Sequence, residues 1–200
     1  MAITGPVTKD TTTPVIGLAQ VRLGASAANI ASTNPVLVAA NSIGAVASTK
    51  FISAIDFFRL ESGYPLMEDA AYPIREKASM EVAFKEITPA NIAYARGISV
   101  ASFGSGEYTN AHSGEVNLGT VTTPAFIRME SVYTYPDGSN KMQIIFPRAQ
   151  VLSNIELDHS MEEPLSSPIM IEAKRADSNV TGGNAVWDSK PYGRIFWSTT

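Results

Sequence analysis

The chain has 200 residues, 44% of them apolar, enough for one domain with a real core. Charged residues make up only 17%, below the usual quarter, which points to a surface partly covered by partners. The net charge of −4 and a longest basic cluster of "AKR" (173–175) argue against sequence-independent DNA binding, and the absence of cysteine excludes disulfides, thiolate catalysis and cysteine-ligated zinc.

Residues 1–15 are rich in Thr, Pro and Gly and read as an N-terminal arm. "GLAQVRLG" (17–24) reads as a short strand between glycines. From Leu23 to Thr49 no residue is charged, but Asn34-Pro35 and Gly44 interrupt the run. Two readings stay open for it: a loop with a buried strand, or a segment buried against a neighbouring subunit. No run of 18 apolar residues and no basic segment leading into an apolar one occurs, so neither a membrane anchor nor a signal peptide is expected.

"FISAIDFFRL" (51–60) is rich in aromatic and β-branched residues and predicts a strand. In "IREKASMEVAFKEI" (74–87), Ala78, Met80, Val82 and Phe84 alternate with Lys77, Ser79, Glu81 and Lys85. A period of two predicts a strand with one buried face. Between the two strands, residues 61–73 show no period and are expected to form a long hairpin loop. That loop carries Tyr64, Leu66, Met67 and Tyr72, side chains that prefer burial. "TPANIAYARG" predicts one short helix near residues 89–96, with Thr88 as N-cap, Pro89 at the first position and Gly97 as the left-handed cap. "FIRMESVYTY" and "KMQIIFPRAQV" are strands on either side of the turn "PDGSN" (136–140). Pro147 marks an edge or a bulge. "PIMIEAKRA" (168–176) and "GRIFWSTT" (193–200) complete seven or eight strands. The fold class is mainly β, a β-sandwich or part of a barrel with one short flanking α-helix, in a single domain over residues 1–200.

Catalytic chemistry is not legible. His112 and His159 have no partner at metal-ligand spacing. "GSGE" (104–107) reads as a turn. "ELDHSMEE" (156–163) lacks the spacing of an EF-hand and reads as a solvated face, and "NVT" at Asn179 as a chance match to a glycosylation acceptor. No enzyme, cofactor or metal is expected.

"TTTPVIGLAQVRLG" followed by "FFRLESGYPLMEDAAYPIREKASMEVAFKEITPANIAYARGI" resembles the major tail tube protein of long, non-contractile-tailed bacteriophages. The resemblance covers residues 12–98, and the later β segments by pattern only. It rests on the order of an "LESG.P..D" loop, an amphipathic strand and an "EITP.N.A" helix start. It implies a structural virion protein, assembled in the host cytoplasm, whose hexameric rings stack into a tube. One sheet of each subunit would join an inter-subunit β-barrel lining the lumen, through which DNA passes without specific binding. Tape measure, tail terminator and distal tail proteins are the implied partners. On this picture Tyr64, Leu66, Met67 and Tyr72 form a ring-stacking loop, while Asp56, Lys77, Ser79, Glu81 and Lys85 face the lumen. The alternative is a monomeric β-sandwich binding or decoration module. It would expose an aromatic platform, for which Trp187 and Trp197 are candidates, although the alternating strand around Trp197 predicts a core position.

Overall fold

The computed structural model describes residues 17–64, 67–98, 116, 118, 123–157 and 165–199. Among them are seven strands: β1 (Gln20–Ala25), β2 (Val46–Ser62), β3 (Met67–Phe84), β4 (Ile127–Thr134), β5 (Asn140–Val151), β6 (Ser167–Ala173) and β7 (Arg194–Thr199). Two helices accompany them, α1 (Ser26–Asn29) and α2 (Pro89–Ala95). All seven strands join one antiparallel sheet in the order β1-β4-β5-β6-β3-β2, with β7 on β5. The chain is therefore mainly β, as its alternating segments predict.

The alternation in β3 has the expected consequence. Met80, Val82 and Phe84 are buried, and so are Ile169 and Ile171, which face Val82 and Met80 from β6. The same core holds Val21 and Leu23 of β1, Ile127 and Met129 of β4, and Phe146 and Val151 of β5. The Phe51 ring of β2 lies 6.3 Å from that of Phe146, although two strands separate β2 from β5 in the sheet. The sheet thus curls until its inner face closes on one core. β5 permits this because its first half pairs with β7 and its end with β6 along the same edge. The register of β4 on β5 slips between Ile127 and Met129, which places a bulge at Pro147, where a residue without an N–H is tolerated.

The short helix α2 has the predicted start and end. Thr88 accepts a hydrogen bond from the Asn91 N–H at 3.2 Å, Pro89 occupies the first position, and Gly97 takes a φ of 69°. Asn91 ties the helix to the sheet by donating to the carbonyls of Ile43 and Glu86. The turn between β4 and β5 is fixed by Asp137, which accepts from the N–H groups of Ser139 and Asn140.

Within the uncharged run of residues 23–49, Leu23–Ala25 end β1 with Leu23 buried, Val46–Thr49 begin β2, and between them α1 and a loop lie over β4. Arg128 and Glu130 hold the loop there. Both are buried, at 0% and 1% exposure, and their side chains pair at 2.7 Å. Glu130 accepts from the N–H groups of Val36 and Leu37, while Arg128 donates to the carbonyls of Asn29, Ser32 and Asn34. Burial pushes the Arg128 pKa down, opposed by its bond to Glu130. The charges at this contact come from β4 and meet backbone groups of the loop. Beside it, Trp187 is fully buried with Ile30, Ile145 and Ala176, and its indole donates to the Ile30 carbonyl at 2.7 Å.

Two expectations are corrected. Residues 61–73 are not a loop: β2 runs to Ser62 and β3 starts at Met67, so only residues 63–66 connect them. Their sequence lacks a period because this part of the ladder has no buried face to impose one. The tryptophans also exchange places, for Trp187 is core and Trp197 is 64% exposed, its indole donating to the Tyr135 hydroxyl at 3.0 Å. Trp197 alternates correctly but sits on an edge strand past the end of the core. The N-terminal arm, Leu66, His112, His159, "GSGE" and most of "ELDHSMEE" lie outside the described residues.

Candidate functional site

The pairing of β3 with β6 ends at Ser79, opposite Glu172. Beyond it β3 has β2 alone as a neighbour, and the ladder continues from Ala54↔Lys77 to Ser62↔Met67. This part is a two-stranded ribbon that projects from the body by roughly 30 Å, at about 3.3 Å per residue. Two register shifts, at Asp56/Phe57 and Leu60/Glu61, twist it on the way. Gly63 permits the turn at the tip with a φ of 84°.

The arm is apolar on the outside. Of eighteen large hydrophobic side chains exposed among the described residues, eight lie between positions 55 and 74: Ile55, Phe57, Phe58, Leu60, Tyr64, Met67, Tyr72 and Ile74. Phe58 faces Tyr72 and Leu60 faces Ala70 across the ribbon. Phe57 and Pro73 form a second apolar pair on the opposite side. An isolated two-stranded ribbon is marginally stable in water, and no other described residue covers this apolar patch. Of the sequence-predicted stacking residues, Tyr64 is fully exposed at the tip, and Met67 and Tyr72 are exposed along β3. Sequence reading missed Phe57, Phe58, Leu60 and Ile74, although "IDFF" already placed three large side chains where one face alone could be buried.

The predicted lumen residues fall together in part. Asp56, Lys77, Ser79 and Glu81 share the face of β2–β3 that points away from the core, together with Lys50, Arg75 and Glu172. The facing of Asp56, ambiguous in its apolar strand, is settled by its register opposite Arg75. Lys85 lies beyond the strand end and is exposed. The acids on this face are neutralised in pairs: Asp56 with Arg75 at 2.6 Å, Glu81 with Lys50 at 3.3 Å and Glu172 with Lys174 at 2.8 Å. Lys77 is left over, so the face carries no excess of negative charge.

The outer edge of β2 has no strand partner among the described residues. An open edge of this length is a template for another strand. The described residues hold no group of three or more potential metal ligands, and none of their helices is long and apolar enough to cross a membrane. No protein-family model matches the chain, and no curated protein does either.

Proposed function

We propose that the chain is the self-assembling tube protein of a long, non-contractile phage tail, forming hexameric rings that stack into the conduit for DNA. The observation that carries this reading is the arm, a long ribbon with apolar side chains on both faces and no cover among the described residues. The open edge of β2 supports the second half of the reading. Pairing it with a neighbour's strand in a closed ring would remove the edge and continue the sheet into a barrel, the sandwich-like body lying outside it. The face with Asp56, Lys77, Ser79 and Glu81 would then line the channel. A lumen of paired charges suits passage of DNA, since each cation held by a carboxylate is less available to phosphate. Tape measure, terminator and distal tail proteins would meet the tube at its core and ends.

Electron microscopy of the purified protein at increasing concentration tests the reading. Sixfold rings and tubes are expected, and a particle that stays at about 21 kDa would contradict it. That second outcome favours the binding-module alternative, for which the exposed Trp197 beside Tyr135 is the specific observation.

A further inference from the structure

A groove of about 480 Å³ crosses the outer side of β1, β4 and β5, lined by Leu18, Gln20, Arg22, Pro35, Val132, Thr134, Lys141 and Gln143. Among the described residues its two cations form no ion pair with a carboxylate. The Arg22 guanidinium is held by the Gln20 side chain and the Leu37 carbonyl, and Lys141 enters no ion pair among the described residues. Gln143 is 7% exposed and donates to Ser198. Leu18, Pro35 and Val132 supply apolar wall.

The arm tip is the complement of this groove. Glu61, Glu68 and Asp69 surround it, and Arg59 engages only Glu68, at 3.0 Å. Glu61 and Asp69 enter no ion pair among the described residues, and they lie beside the fully exposed Tyr64 and the exposed Met67. Resting on the reading of the arm as an assembly element, we propose that the tip of one copy docks in the Arg22–Lys141 groove of a second copy. Glu61 and Asp69 then meet the two cations, and the Tyr64 ring covers the apolar wall. Cation against carboxylate fixes orientation, and the desolvated ring and thioether supply contact area.

Carbodiimide coupling of a mixture of isotopically light and heavy full-length chains tests the contact directly. Under assembling conditions it is expected to join Lys141 of one copy to Glu61 or Asp69 of another, and its absence from assembled material overturns the proposal. Charge reversal is the second test. Lys141→Glu should raise the protein concentration needed for assembly about tenfold or more, as should the pair Glu61→Lys and Asp69→Lys, because like charges then face each other. Lys141→Glu combined with the single reversal, Glu61→Lys or Asp69→Lys, of the acid that couples to Lys141 should restore it, because Arg22 then keeps its own carboxylate. Assembly of either reversed form at the wild-type concentration, or loss without rescue, overturns the docking. A chain whose residues 57–74 are replaced by Asn-Gly separates the levels. If it fails to assemble while the charge variants assemble normally, only the groove assignment is wrong; if it assembles normally, the reading of the arm itself fails.

Discussion

Asp56 and Arg75 sit directly opposite each other at the base of the arm, with carboxylate and guanidinium 2.6 Å apart. Lys50 and Glu81 repeat the arrangement closer to the body, at 3.3 Å. Each pair joins β2 to β3 on the face away from the core. In the body the burial of Met80 and Val82 fixes the register, and the facing opposite charges add to it, since a slip of one residue would separate both pairs.

Reversing Asp56 to Lys should therefore act locally. Both partners are about half exposed, so the global cost is expected to stay below about 1 kcal/mol. The swap Asp56→Arg with Arg75→Asp should recover it. Chemical unfolding midpoints measure this, and a cost of several kcal/mol would place the pair in a buried setting.

The Arg128–Glu130 pair predicts the opposite scale. Glu130→Gln leaves a buried guanidinium without its charge partner and weakens the hold on the Val36 and Leu37 N–H groups. A loss of about 3–5 kcal/mol is expected. Hydrogen exchange should rise first in residues 29–37, the loop that the pair fastens. A near-neutral variant would show that the loop is held by its apolar contacts alone.

Thr88→Ala removes the acceptor of the Asn91 N–H and should cost about 1 kcal/mol. Thr88→Ser keeps the oxygen and should recover most of it. An unchanged unfolding midpoint for the alanine variant would mean that the Asn91 side-chain bonds hold the helix start without the cap.

Asp177 gives a pH signature. The Arg175 guanidinium and then the Asn179 amide hold its pKa below the usual carboxylate value. Because the folded value is the lower one, the stabilisation is fully present above the unfolded pKa of about 3.9 and is lost as pH falls through the folded value. The stability gap between wild type and Asp177→Asn should be constant at neutral pH and shrink below about pH 4. A gap independent of pH down to acid unfolding would refute the assignment.

Where burial imposes a pattern, the sequence carries it. Met80, Val82 and Phe84 alternate because one side of β3 faces the core, and Thr88, Pro89 and Gly97 mark the ends of α2 through purely local chemistry. What was illegible depends on distant partners. Arg128 and Glu130 alternate like solvent-facing residues of an ordinary strand, and only a loop some 93 to 99 positions away in sequence buries them. Trp197 alternates like a core residue, yet β7 extends past the core. In the arm neither face is buried, so no period exists to be read, and the continuation of both strands could not be distinguished from a loop. The groove at Arg22 and Lys141 joins segments about a hundred residues apart in sequence and left no local signal.

The central claim is that the arm drives self-assembly while contributing little to the fold. Sedimentation velocity over a concentration series, comparing the full chain with one in which residues 57–74 are replaced by Asn-Gly between Asp56 and Arg75, tests it most directly. The account predicts that the full chain forms large particles as concentration rises, while the shortened chain keeps its β-type circular dichroism and its unfolding midpoint and stays at the monomer's sedimentation coefficient. Identical assembly of the two chains would contradict it.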